Sequence, residues 1–167
     1  MNRLSLFRKI NNKFKSLVAK IVMLVLYRAI KVLAREDSRI MNEFLTWKDG
    51  LTVALEASPD GTAIYMQKYG DKLKRIKASS NVDIRITFRS VDAAFLVLTG
   101  QMGVARAYAE HRFMLNGDIC QTMSLVRCID IAESYLFPRL LTKRILRKVE
   151  KKEFSTLRVY RKIFVGV

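Results

Sequence analysis

The sequence predicts an α+β domain of five short strands and several helices, carried between two basic helical arms. Three observations predict it. Apolar and polar residues alternate in short runs between residues 51 and 88 and again at 111–116, the period of a strand with one buried face. Three-and-four spacings follow, opened by Ser90 and Asp118, with Gly100 after the first, the chemistry of helix ends. Charge is also segregated: residues 1–48 hold 11 Lys/Arg against 3 Asp/Glu, residues 49–138 hold 10 against 10, and residues 139–167 hold 10 against 2. The net charge of +16 therefore resides in the two ends, and the expected organisation is an arm at 1–48, a neutral domain at 49–138 and a tail at 139–167.

The first arm has nine basic and no acidic residues up to position 35. Phe7, Ile10, Phe14, Leu17, Val18, Ile21 and Val25 share one helical face, flanked by Lys9, Lys13 and Lys20 on one side and Arg8 and Lys15 on the other. A basic amphipathic helix of this kind can lie in a lipid interface with its lysine stems along apolar surface. Phe7, Lys9, Ile10, Lys13, Phe14, Leu17 and Lys20 are its candidate membrane contacts. The all-round apolar run Ile21–Tyr27 falls far short of the roughly 20 residues a spanning helix needs, and the alternative is that it packs on the domain. No small-residue cleavage site follows it, so a signal peptide is not expected. Ser38 is placed to cap a short helix from Arg39 to Trp47, with Trp47 in the packing.

In the neutral domain, Leu51, Val53, Leu55 and Ala57 alternate with polar or small residues as a first strand. Ser58-Pro59-Asp60-Gly61 turns the chain into a second, TAIYMQKY. Gly70-Asp71 leads to KLKRIKAS, where Leu73 and Ile76 fall on opposite parities, as in a charged or bulged edge strand. A fourth strand places Val82, Ile84, Ile86 and Phe88 inward and Asp83, Arg85 and Thr87 outward, and the four are expected to form an antiparallel meander. Ser90 opens a helix over Val91–Thr99, and a second short helix spans Met102–Glu110. A fifth strand runs from His111, through Phe113 and Leu115, to Asn116. Asp118 and Gln121 then make a capping-box pattern for a long helix towards Leu136. Its apolar residues lie on two sides, Leu125, Ile129, Ala132 and Leu136 opposite Ile119, Met123 and Val126, so one side can wall a cavity.

Beyond Pro138, RLLTKRILRKVEKKEF is a second basic amphipathic helix, with Arg144, Arg147 and Lys148 as candidate membrane contacts. Residues 155–167 fit either a short strand or a frayed tail.

Catalytic chemistry is poorly provided for. His111 is the only histidine, so no nucleophile–His–acid set can form, and neither a Gly-rich phosphate loop nor metal-ligand spacing occurs. Glu110 and Asp118 could pair as carboxylates, but Asp118 is better explained as a cap. Cys120 and Cys128, eight residues apart on one helix, are about 12 Å apart along its axis and too far for a disulfide. No metal or cofactor is expected.

The ordered series of strand Asp83-x-Arg85-x-Thr87, helix Ser90 to Gly100, and strand Arg112-Phe113-x-Leu115-x-Gly117-Asp118 before the last helix resembles the sterol-carrier-protein (sterol-binding) domain family over residues 49–138. It is most similar to bacterial members that include accessory proteins of isoprenoid-quinone synthesis. The resemblance implies a five-stranded, mainly antiparallel sheet covered on one face by helices and enclosing an apolar cavity for a sterol, fatty acyl lipid or isoprenoid quinone precursor. It implies a carrier, not an enzyme. Phe95, Leu98, Tyr108, Phe113, Leu115, Met123 and Val126 are the candidate lipid contacts, with ordinary core packing as the competing reading of each. The expected partners are an apolar lipid and an anionic membrane surface, the protein being cytoplasmic and peripheral. A scaffold for lipid-pathway proteins is the alternative. Nucleic acid is disfavoured, because the basic runs interleave Leu, Ile and Val and carry no recognised binding motif.

Overall fold

A computed structural model of the chain describes residues 3–58, 61–137 and 152–165, with side chains from residue 10 onward. Helix α1 (Arg3–Glu36) and helix α2 (Ser38–Thr46) precede strands β1 (Thr52–Glu56), β2 (Ala63–Tyr69), β3 (Lys72–Ile76) and β4 (Ile84–Phe88). Helices α3 (Val91–Leu98) and α4 (Val104–Ala109), strand β5 (Phe113–Gly117), helix α5 (Ile119–Leu136) and helix α6 (Thr156–Val165) complete the order. The tail segment thus takes neither expected form: over Thr156–Val165 it is a helix, whose Val159 and Ile163 are buried. Of the helix expected over 139–154, residues 139–151 lie outside the described residues, and 152–154 are not helical.

The strands form one mixed sheet in the order β3-β2-β1-β4-β5. Pairs β1–β2, β2–β3 and β4–β5 are antiparallel, whereas β1 and β4 are parallel. The first four strands are therefore not a simple meander. After the charged edge strand β3 the chain crosses back and inserts β4 on the free side of β1. Outward polar residues fix that insertion. The Asp83 carboxylate accepts from the Thr52 backbone N–H at 2.8 Å and from its hydroxyl at 2.7 Å. On β1, Glu56 forms an ion pair with Arg85 and accepts from Thr87 at 2.8 Å and from Tyr65 at 3.1 Å. Arg85 also donates to the Ser80 carbonyl at 2.9 Å, tying down the crossover itself. A partly buried charged pair with every oxygen engaged is costly to break, so these contacts oppose a slip in register.

The other face of the sheet is apolar, from Val53 and Leu55 through Ile64, Met66 and Leu73 to Ile84, Ile86, Phe88 and Phe113. Helices cover this face. The second half of α1 contributes Met23, Leu26, Ala29, Ile30 and Leu33 to the core, and α1 packs against α2, α3, α5 and α6. Buried large side chains such as these each contribute roughly 1.5–3 kcal/mol of hydrophobic stabilisation. Trp47 is buried as expected, and its indole N–H donates to Ser124 of α5 at 2.8 Å.

Most helix ends follow the sequence. Ser90 accepts from the Ala93 N–H at 3.1 Å, and Asp118 accepts from the Gln121 N–H at 2.8 Å. The cap of α2 differs: Asp37, not Ser38, is the N-cap, and Ser38 bonds Glu153 instead. Asp37 ends one helix and starts the next, a buried position where a carboxylate satisfies more donors than a hydroxyl could. His111 is not in the fifth strand, which begins at Phe113; it sits in the turn before it with φ 52°.

Gly117 pairs with Ile84 at the end of β5 and has φ 139°. A Cβ there would collide with the Asp83 carbonyl oxygen and lie 3.0 Å from the Ile84 Cα. Glycine is therefore required both for the backbone angle and for the close approach of the two strands. Replacing Gly117 by Ala is expected to lower unfolding free energy by about 2 kcal/mol or more in urea denaturation. The Gly70→Ala control, at φ 54° with open space around it, should cost only about 1 kcal/mol.

Candidate functional site

Between the apolar face of the sheet and helices α3 and α5 lies a cavity of about 30 Å³. Leu55, Ile86, Phe88 and Phe113 of the sheet form its floor; Leu26 of α1, Val97 and Leu98 of α3, Val104 of α4, and Val126 and Ile129 of α5 form its walls. All ten are apolar, as befits a space that water gains little by entering. The eleventh lining residue is Glu133.

The cavity follows from two periodicities. Inward residues of β1, β4 and β5 recur every second position, and on α5 Val126, Ile129 and Glu133 recur at three and four. Asp118 sets the phase of that helix by capping it directly after the Gly117 turn. On this measure a cavity needs about 10–15 Å³ to hold one water, so the enclosed space accepts a small group and not a long chain.

Three of the sequence candidates, Leu98, Phe113 and Val126, line the cavity. Leu115 is half-buried against the core. Phe95 is half-buried beneath Lys15 of α1, whose Nζ lies 5.9 Å from the ring centroid. Tyr108 and Met123 lie outside, 60% and 48% exposed. Tyr108 nevertheless touches the lining residue Phe113, ring centroids 5.7 Å apart, and Met123 precedes Val126 by one turn on the same helix. Neither lines the cavity. The alternation that marked Leu55, Ile86 and Phe88 as inward was readable in sequence. Glu133 was not, because a lone glutamate among Ala and Ser in a helix carries no distinguishing pattern.

Glu133 is only 5% exposed, and no hydrogen bond or ion pair to its carboxyl is present among the described residues. Burial pushes its pKa up to about 8, helped by the neighbouring charge of Asp130, which burial raises to about 6. The carboxyl is thus predominantly protonated at neutral pH. Its helix neighbours behave differently. Burial raises the Cys128 thiol to about 12, making it inert. Tyr135 donates to the fully buried Asp37 at 2.8 Å. Burial alone would raise Asp37, but hydrogen bonds from Arg39 and Tyr135 hold it below the usual carboxylate range.

On α1 the structure separates two faces. Ile10, Phe14, Leu17 and Ile21 are 57%, 60%, 55% and 53% exposed, a single stripe at spacings of four and three, with Lys13 and Lys20 exposed beside it. Lys15 turns instead to Asp92 of α3 at 2.5 Å. The side chains of Phe7 and Lys9, and Arg144, Arg147 and Lys148 altogether, lie outside the described residues. Glu110 is held between Arg106 and Arg112 while Asp118 caps α5, so the two carboxylates do not act as a pair. Among the described residues no three His, Cys, Asp or Glu are grouped to hold a metal ion, and no helix is long and apolar enough to cross a membrane.

The chain presents a mixed sheet with one face under helices and an apolar cavity between the layers, and among the described residues no reactive constellation faces that cavity. No family model and no curated protein matches the sequence. Among solved structures the chain is similar to a UbiJ-SCP2 ubiquinone synthesis protein, at 14% identity and a TM-score of 0.49 over 72% of this chain and 99% of that one. It is also similar to sterol carrier protein 2-like 2 of Aedes aegypti, at 13% identity and a TM-score of 0.43 over 64% and 95% of the two chains. For the apo form of sterol carrier protein 2 of Yarrowia lipolytica the values are 12%, 0.44, 65% and 87%. These are likenesses of fold at low identity, and function is read from this chain's own side chains.

The Glu133 carboxyl makes stability pH-dependent with a definite sign. Its folded pKa, about 8, lies above the ordinary glutamate value of 4.5, so the folded state binds the extra proton and stability falls as pH rises between those values. Asp130 contributes in the same direction but only up to about pH 6. Between pH 6 and 8 the wild type is expected to lose roughly 2 kcal/mol of unfolding free energy that Glu133→Gln does not lose, as read from urea denaturation at the two pH values.

Proposed function

We propose that the chain is a non-catalytic binder or carrier of a hydrophobic ligand, working at an anionic membrane surface as a peripheral, cytoplasmic protein. One observation carries the reading, and it concerns α1. Leu26 in the second half of this helix lines the apolar cavity, while the first half presents Ile10, Phe14, Leu17 and Ile21 to solvent. A single rigid rod thus joins a surface suited to lipid to a pocket suited to an apolar molecule. Exposed apolar stripes of this kind are costly in water unless they dock.

The charge of the chain favours the same surface. Each Lys or Arg near an anionic bilayer adds about 1 kcal/mol of attraction, and salt weakens it. Lys13 and Lys20 flank the stripe on α1, and the tail at 139–167 adds ten more basic residues in sequence. The sterol, fatty acyl or quinone-precursor classes remain the ligand candidates, with quinone synthesis the pathway suggested by the family resemblance.

Extraction of the full chain purified from cells, followed by mass spectrometry, is expected to release an apolar lipid at near-stoichiometric yield. Preparations that release none would remove the carrier reading. The membrane part is tested separately by flotation with vesicles of phosphatidylcholine and phosphatidylglycerol. The double variant Phe14→Ser, Leu17→Ser should bind at least about tenfold more weakly, since two large apolar side chains lose their burial, with its thermal midpoint unchanged. Wild-type flotation should also fade in high salt. Undiminished flotation of the variant would show that α1 is not the docking element.

A further inference from the structure

We infer that the groove between α1 and α6 binds the phosphate of an anionic membrane lipid, held by Arg28, Lys31 and Lys162. The inference rests on the membrane part of the proposed function and adds a headgroup site to it; it does not depend on the carrier part.

Charge carries it. Helix α6 packs along the second half of α1, and a groove of about 320 Å³ lies between them, with polar as well as apolar surface facing it. Arg28 and Lys31 enter it from α1 and Lys162 from α6, and no acidic residue lines it among the described residues. Lys31 makes no hydrogen bond or ion pair among the described residues. Arg28 directs one donor to the Ile163 carbonyl at 3.4 Å, which leaves the other N–H groups of its guanidinium to a ligand. Lys162 holds one oxygen of Glu36 at 2.5 Å while Arg158 holds the other at 3.2 Å, so that acid is already shared by two cations. Like charges gathered without an acid among them repel. A bound anion removes the repulsion.

Position names the source of the anion. Arg28 follows Ile21 by seven residues, two helical turns, and is exposed. It therefore continues the exposed stripe of Ile10, Phe14, Leu17 and Ile21 along one side of α1. The groove opens about 10 Å beyond the last apolar residue of that stripe, towards the surface on which the stripe docks. Two of its lining residues, Phe164 and Val165, are apolar yet 64% and 80% exposed. A lipid satisfies both halves of the groove, its phosphate on the cations and its chains against Phe164 and Val165. Inorganic phosphate would leave this apolar surface in water.

The chemistry also selects among headgroups. A phosphodiester offers charged acceptor oxygens to a guanidinium fork and to two ammonium groups. Arg28 and Lys31, one turn apart on α1, can meet the same phosphate. A choline headgroup brings a further cation into a site that already holds three, whereas a glycerol headgroup brings none.

The test uses the full chain and three probes: dihexanoyl phosphatidylglycerol and dihexanoyl phosphatidylcholine, each below its micellar concentration, and inorganic phosphate. Phosphatidylglycerol is expected to bind saturably and at least about tenfold more tightly than either of the others, through several charge-assisted contacts. The double variant Arg28→Gln, Lys31→Gln should lose about tenfold or more of that affinity. The charge-matched double variant Lys77→Gln, Arg89→Gln, two exposed cations that do not line the groove, should lose less than about threefold, because solvent and salt screen distant charges. A measurement on wild type covers the case in which the groove variant fails to fold: with arginine labelled by nitrogen-15, the Arg28 Nε resonance should shift with phosphatidylglycerol and far less with the other two probes. Equal losses in the two double variants, an unmoved Arg28 resonance, or phosphatidylcholine bound as tightly would each overturn the headgroup site. Docking of the α1 stripe, read separately by vesicle flotation, would still stand. Inorganic phosphate bound as tightly as phosphatidylglycerol would overturn the assignment to a lipid. A wild type that neither binds phosphatidylglycerol nor floats with anionic vesicles would overturn both readings.

Discussion

From Cys128 to Leu136 helix α5 is buried on all its sides except at the half-buried Asp130, and the remaining architecture is the consequence of enclosing it. The sheet lies on one side, α1 and α2 on others, and α6 closes the last. Several polar side chains of this helix are partnered across to the elements around it. Ser124 meets both Trp47 and Glu43 of the α2 region, Arg127 grips Glu43, and Tyr135 reaches Asp37. These bonds fix α2 against α5 with a directionality that apolar packing lacks. Glu133 has no such bond. The Thr122 hydroxyl oxygen, buried on the same helix, also lacks a partner among the described residues.

Much of this could be read from residue patterns. The inward alternation at Val53, Leu55, Ile84, Ile86 and Phe88 marked the buried face of the sheet, and Ser90, Asp118 and Gly117 marked the joints correctly because their roles are local: a cap, a cap and a turn. What could not be read was long-range. The insertion of β4 beside β1 depends on Asp83 meeting Thr52 and on Arg85 and Thr87 meeting Glu56, about thirty residues earlier. Short turns between successive strands suggested a meander instead, because periodicity sets which face a residue takes and not which strand it pairs with. The same limit applies to the candidate site. Leu98, Phe113 and Val126 were singled out as apolar residues of the domain that the family resemblance implies encloses a cavity, whereas Leu26 belongs to a helix far away in sequence. Glu133 becomes notable only when its surroundings are known.

Helix α1 gives the molecule its polarity. Its second half is core, with Ala29, Ile30 and Leu33 fully buried; its first half keeps an apolar stripe in solvent. The hydrophobic run Ile21–Tyr27, too short to cross a bilayer, is the transition between the two: Ile21 faces out while Met23 and Leu26 face in. One continuous helix thus runs from an exposed apolar stripe to the wall of the cavity, which Leu26 helps to form.

The central claim is that a lipid chain lodges beneath α5 rather than merely adhering to the outer stripe of α1. Methyl-labelled protein exposed to a nitroxide-bearing long-chain alcohol distinguishes the two directly, because paramagnetic broadening marks the methyls nearest the probe. Lodging beneath the helix predicts that the buried methyls of Leu98, Val126 and Ile129 broaden at stoichiometric probe. Broadening confined to Ile10, Leu17 and Ile21, with the cavity methyls sharp, would contradict it.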